Sequence, residues 1–260
     1  YAPIGKPKYS GPAIQHVTTA MVDDWLRHGS NVNTELNNAV IADDPVRVSY
    51  LVESKHADVN KRDLQGYTPL LNAVRKMSLD MVKYLVMHHA DVNRTDRDGW
   101  TPMMTAAWVD DADIVQFLAT RKADLNTKNA QGLTPLGIAS EYGKDVAVVA
   151  LIGAGSNVNE RIGSGYTPLM LAVAGISDRS AKALIDHGAD VNAKNSGGVT
   201  ALMIAAAGNQ PDLANLLLKS GADAALQDES GRTALAIARD KGNDAVIKVL
   251  QQSAPNPAAT

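Results

Sequence analysis

Residues 96–126 read DRDGWTPMMTAAWVDDADIVQFLATRKADLN, and this unit recurs along the chain. Its Thr101-Pro102 pair returns as Thr68-Pro69, Thr134-Pro135 and Thr167-Pro168, then as Thr200-Ala201 and Thr233-Ala234. Each step is 33 residues. A second column, Asn60, Asn93, Asn126, Asn159 and Asn192, closes a short D/N-V/L-N triplet at the same spacing. A third is glycine: Gly66, Gly99, Gly132, Gly165, Gly198 and Gly231. Three columns in phase at this period specify a solenoid of small stacked units. The local chemistry agrees. Threonine caps a helix with its hydroxyl, and proline fits the first helical position, where its missing N–H is not needed. The second helix carries its apolar stripe at spacings of three and four, as in Met81, Val82, Leu85 and Val86, or Ile114, Val115 and Leu118.

The unit resembles the ankyrin repeat, D-x-x-G-x-T-P-L-H-x-A-A followed by a helix ending L-L-x-x-G-A-D-V-N. Asp96, Gly99, Thr101, Pro102, Ala106, Ala107, Ala123, Asp124 and Asn126 fall on that pattern. The resemblance covers nearly the whole chain. It implies an all-α solenoid of helix-turn-helix units linked by β-turns. Five full repeats are expected over 61–225 and a closing one over 226–252, roughly six in all. Degenerate units precede them: an amino-terminal cap over 13–33 and a partial repeat over 34–60. A flexible arm (1–12) and a disordered tail (253–260) flank this single body (13–252). In the cap, Trp25 takes the place of a buried leucine and is expected in the core. In the partial repeat, Leu36 and Ala39 serve the first helix, Pro45 opens the second, and Tyr50 and Leu51 lie on it.

Apolar residues make up 45% of the 260, enough for a continuous core, and only 4% are aromatic. A net charge of −3 argues against nucleic acid as the default partner. No apolar run reaches the length of a membrane span. There is no cysteine, which excludes disulfides and thiolate chemistry. The chain opens on Tyr1 through YAPIGKPKYSGP. This fits an exported, periplasmic or secreted, protein whose leader has been removed, with a cytoplasmic chain as the alternative. A monomer is expected.

Two departures from the family pattern stand out. The histidine after T-P-L is replaced by Leu71, Met104, Gly137, Met170, Met203 and Ala236, so apolar packing should substitute for its hydrogen bonds. The glycine ending the second helix is replaced by His56, His89 and Lys122. If left-handed, each costs on the order of 1 kcal/mol relative to glycine.

No catalytic residues emerge. There is no H-E-x-x-H, phosphate-binding loop or G-x-S-x-G motif. Five of the six histidines fall at or near second-helix ends, so the period explains them. Asp91-x-Asn93-x-x-Asp96-x-Asp98-Gly99 breaks calcium-loop spacing and consists largely of repeat-pattern positions. No metal or cofactor is expected, and the chain is read as a non-enzyme.

Function must therefore come from the variable positions. By resemblance, a partner contacts the turn tips and the exposed face of the first helices, which line the concave side. Those positions hold five of the eleven aromatic residues: Tyr67, Trp100, Trp108, Tyr142 and Tyr166. Arg75, Lys76, Arg97, Asp98, Asp110, Asp111 and Glu141 sit among them. Aromatic anchors with a charged rim have the anatomy of a protein interface. The alternative is that each ring packs on its own turn. Small residues follow on the same face: Ala174, Gly175, Ala207 and Gly208. The sequence therefore suggests a protein that binds one globular partner. If exported, it would be an inhibitor or self-protection protein for an enzyme such as a cell-wall hydrolase. A scaffold binding several partners or an extended peptide is the alternative. Trp108→Ala is expected to weaken binding while changing stability by less than about 1 kcal/mol.

Overall fold

The computed structural model describes residues 17–252. The expected arm and tail lie outside the described residues, as do the first residues of the cap unit. The fold is the all-α solenoid. Helix α1 (Thr19–Arg27) leads to α2 (Val32–Ile41) and α3 (Pro45–Ser49), which passes into a π-helical turn (Tyr50–Ser54). Helix pairs follow: α4 (Pro69–Arg75) with α5 (Leu79–Met87), α6 (Pro102–Val109) with α7 (Ala112–Thr120), and α8 (Pro135–Glu141) with α9 (Asp145–Gly153). Then come α10 (Pro168–Ala174) with α11 (Asp178–Asp186), α12 (Ala201–Ala207) with α13 (Pro211–Lys219), and α14 (Ala234–Lys241) with α15 (Asp244–Gln252). The first helices, α2 and then α4 to α14, stack in one layer, and the second helices, α5 to α15, in another. One apolar core runs between them from Val22 to Leu250.

Each unit is held by the residues that recur. The hydroxyls of Thr68, Thr101, Thr134, Thr167, Thr200 and Thr233 accept the N–H three residues on. That N–H belongs to the position where the family histidine is missing. There Leu71, Met104, Met170 and Met203 are fully buried, so apolar packing fills the space. The asparagine column joins neighbours. Asn60, Asn93, Asn159 and Asn192 each accept the N–H of an aspartate 31 residues on, at 2.7–2.8 Å. The six turn glycines all have φ between 73° and 96°, the left-handed region open to a residue without Cβ.

The amino-terminal units depart from this scheme. Helix α2 begins inside the Asn31-Val32-Asn33 triplet, because no glycine follows to make a turn. Asn31 caps it by accepting from Asn33 and Thr34. Pro45 opens α3 behind the Asp44 cap. Tyr50 and Leu51 lie in the π-turn that ends this helix, where Lys55 N–H donates to Tyr50 O. The Tyr50 hydroxyl donates to Asp23 at 2.7 Å and Lys55 pairs with the same carboxylate at 2.7 Å, fastening α1. Trp25 is only half-buried and packs on the core's edge, since no helix precedes α1 among the described residues to cover it. Asn37 and Asn72 are buried where α2 meets α4. Asn72 Nδ2 donates to Asn37 Oδ1 at 3.1 Å and to Asp63 Oδ2 at 3.0 Å, and Asn37 Nδ2 donates to the carbonyls of Asn33 and Lys61.

His56, His89 and Lys122 are left-handed, with φ of 54°, 68° and 62°. His28, His88 and His187 cap the ends of α1, α5 and α11. A second left-handed column lies between the two helices of each unit, and there Ile176 has φ 59° with its side chain 69% exposed. A β-branched residue is the most strained occupant of that region, and exposure offers no packing in return. Ile176→Gly is expected to raise stability by about 1 kcal/mol, measured as a higher urea midpoint with an unchanged slope.

Candidate protein-binding face

The side chain of an aspartate or asparagine organises five of the six turns. One oxygen accepts two N–H groups, two and four residues on. Asp63 holds Gln65 and Tyr67, Asp96 holds Asp98 and Trp100, and Asn129 holds Gln131 and Leu133. Asn195 and Asp228 do the same for their turns. The pattern fixes the residue after each turn glycine, so Tyr67, Trp100, Leu133 and Val199 recur at one place on the face. Burial raises the Asp96 carboxyl above its usual range, against the opposing pull of its two N–H donors.

The turn before α10 breaks the rule. Ile162 stands where the others have Asp or Asn, and it is buried. It closes the turn by two backbone hydrogen bonds with Tyr166, both 2.9 Å. Its side chain fills the space over Gly137, where a Cβ would lie 2.7 Å from Ile162 Cδ1. Three pairs of neighbouring turns are tied by backbone bonds, Ala130 to Asp98, Ser196 to Ser164 and Glu229 to Gly197, and the Arg97 side chain ties a fourth by donating to Leu64 O. Among the described residues no such bond joins Gln131 to Gly163. An open cleft of about 290 Å³ lies there. Trp100, Leu133, Tyr142 and Tyr166 form its apolar walls with Ile162 and Leu171, and Asn129, Gln131, Glu141 and Ser164 are its polar members.

Three of the expected aromatic residues form one ladder. Trp100 meets Trp108 edge to face with centroids 6.0 Å apart, and Trp108 meets Tyr142 edge to face at 4.5 Å. Tyr166 lines the cleft with Trp100 and Tyr142. Tyr67 stands apart, paired with Arg75, whose guanidinium lies 4.2 Å from its ring centroid. Lys144, which the sequence reading missed, lies 5.3 Å from the Trp108 ring. Held on three sides, Trp108 contributes more to the fold than expected. Losing two ring contacts puts the stability cost of Trp108→Ala at about 1–2 kcal/mol.

The charged residues divide. Lys76 and Asp98 are exposed on the face. Arg97 is committed to the scaffold: Nη2 donates to Leu64 O at 3.0 Å while its stem covers Gly66. Asp110 and Asp111 also serve the scaffold, because their carboxylates cap helices. Asp111 caps α7 by accepting Ile114 N–H at 3.0 Å, and Asp110 accepts Ala147 N–H in the first turn of α9 at 2.8 Å. Of the small residues, Gly175 is explained by close approach. A Cβ there would lie 2.4 Å from the Glu141 carbonyl oxygen. Asp91, Asn93 and Asp96, the calcium-like string, are likewise occupied with N–H groups, and no metal-holding group of three occurs among the described residues.

Burial raises two glutamates. Glu141 is pushed up by desolvation alone. Glu160 is pushed up by desolvation, offset by the Thr134 hydroxyl that donates to it and by Lys128. A carboxyl raised in the fold favours folding below its unfolded pKa, and that advantage is lost as pH rises through the folded value. Glu160→Gln keeps an acceptor for Thr134. It is expected to raise the melting temperature at neutral pH, with the gain vanishing below about pH 4. Asp111→Ala is expected to cost about 1 kcal/mol in urea unfolding, the worth of a cap, with partner affinity unchanged.

Models described as ankyrin repeats match the chain, one of three copies over residues 36–129 and 111–195 and one of many copies over 184–238. No curated protein matches it. Among solved structures it is similar to the ankyrin repeat domain of Bcl-3, a unique member of the IκB protein family. Identity is 28%, the TM-score is 0.75, and the match covers 85% of this chain and 100% of that one. It is also similar to a chain in the complex of Bd0816, a predatory endopeptidase of Bdellovibrio bacteriovorus, with the immunity protein Bd3460. There identity is 32% and the TM-score 0.65, over 74% of this chain and 99% of that one. The threonine-capped first helices, the glycine turns and the asparagine links between units are thus those of a known architecture, and the chain belongs to the ankyrin repeat family.

Proposed function

We propose that this chain binds one globular protein through the face made by its turns and first helices, and that the bound protein is an enzyme it holds inactive. The ankyrin fold is one of protein–protein interaction. The observation that carries the reading is the contiguous aromatic cluster Trp100–Trp108–Tyr142, with Tyr166 across an open cleft. Large half-exposed rings at the centre of a face are the usual anchors of an interface. The cluster occupies one stretch, from the turn before α6 to the turn before α10. Beyond it the face offers Ala174, Gly175, Ala207 and Gly208, which favours one compact footprint over an extended one.

An enzyme is favoured as the partner by the similarity to a chain from an endopeptidase–immunity protein complex, which extends over nearly all of that chain. On this reading the chain acts by covering the enzyme's surface. The enzyme we propose is an exported hydrolase of the cell wall made by the same organism, met in an extracytoplasmic compartment.

The test is inhibition. Purified exported cell-wall hydrolases of the source organism are assayed with the intact chain and with Trp100→Asp and Tyr142→Asp chains whose folding has been verified. One hydrolase is expected to lose activity at a one-to-one ratio, and each variant to weaken that effect by about 2 kcal/mol or more. Binding without inhibition would favour an adaptor. Inhibition that survives both substitutions would move the interface off this face.

A further inference from the structure

We propose that the cleft between the turn before α8 and the turn before α10 receives a basic side chain, lysine or arginine, projected by the bound protein. This deepens the functional reading above and rests on it for the partner, though not for the chemistry.

The cleft combines apolar rings with one carboxylate. Trp100, Tyr142 and Tyr166 form its walls, and Glu141 stands at its edge at the end of α8. Among the described residues the Glu141 carboxylate has no hydrogen-bond or ion-pair partner, and burial disfavours its charge. Lys144, three residues on, does not neutralise it but lies over Trp108. A half-buried charge without a partner is costly, and a cation entering beside it recovers that cost. An apolar occupant would desolvate the carboxylate further, and an anion would be repelled by it.

The same face already pairs rings with cations. Arg75 covers Tyr67 and Lys144 covers Trp108. Trp100 and Tyr166 carry no cation of this chain among the described residues. A guanidinium or ammonium placed between them and Glu141 would gain ring attraction and a salt bridge together. Ile162 contributes to this by placing an apolar side chain where the other turns carry Asp or Asn, and among the described residues no bond ties its turn to Gln131 across the gap.

The test needs no partner. The intact chain is titrated with N-acetyl-arginine methylamide and N-acetyl-lysine methylamide, and with the neutral isosteres made from citrulline and norleucine, following the tryptophan indole N–H resonances by NMR. Saturable shifts at Trp100 are expected with the basic probes, about fivefold or more stronger than with the neutral ones. Glu141→Gln should remove that preference while leaving the melting temperature at neutral pH unchanged or higher. A structural role for Glu141 would lower it. Equal response to arginine and citrulline, or an intact preference in Glu141→Gln, overturns the inference. Hydrolase inhibition measured alongside separates the two readings. A Glu141→Gln chain that inhibits as well as the intact one overturns the basic-side-chain site and leaves the inhibitor reading standing. Arginine preference in a chain that inhibits no hydrolase supports the site and removes the inhibitor.

Discussion

Helices of five to ten residues cannot persist in water, because nucleation costs more than so few hydrogen bonds return. Every helix among the described residues is that short, so each exists only against its neighbours. This dependence explains which residues recur. A threonine oxygen satisfies the third N–H of each first helix from α4 on, an asparagine bridges to the next unit, and a glycine turns the chain where a Cβ would be strained. Residues such as Leu85, Leu118, Leu151, Leu184 and Leu217 then build one core out of many small contributions. Because stacking fixes these positions, the turn tips and the open side of the first helices are left free to vary, and the aromatic cluster lies there.

The candidate face shows how an open surface arises by subtraction. Replacing one aspartate or asparagine by Ile162 removes a side-chain brace. The turn closes on itself through Tyr166 instead, and the gap toward Gln131 opens. The rings that border the gap are presented by ordinary repeat positions: Trp100 follows a turn glycine, and Trp108 and Tyr142 end first helices. Glu141 is placed by the close approach of Gly175 to its carbonyl. The site is thus built from scaffold geometry with few added parts.

The fold was legible because its determinants are local and repeated: Thr-Pro caps, the glycine column and the 33-residue period are visible in one dimension. The aromatic band was legible for the same reason, since its members share columns. Interactions that cross between units at an offset were not. Asp110 reads as rim charge, and its second task, capping a helix 37 residues away, is invisible in one dimension. Lys144 was passed over because its ring partner lies in the preceding repeat. Trp25 looked like a core leucine's replacement, yet it is only partly buried, since among the described residues no helix precedes α1 to cover it. Ile162 is visible in the sequence as an apolar residue in a column of Asp and Asn, but its effect on the turn is three-dimensional.

The buried amides of Asn37 and Asn72 make the repeats unequal in one further respect. Elsewhere the position of Asn72 is filled by Thr105, Ile138, Leu171, Ile204 or Ile237, which ask nothing specific of the preceding unit. Recombination at junctions away from the Gly137–Ile162 pair therefore joins compatible surfaces. A crossover at the first junction strands an amide against an apolar side chain. The array can lengthen or shorten over generations at its centre, while its amino-terminal end is inherited as a block.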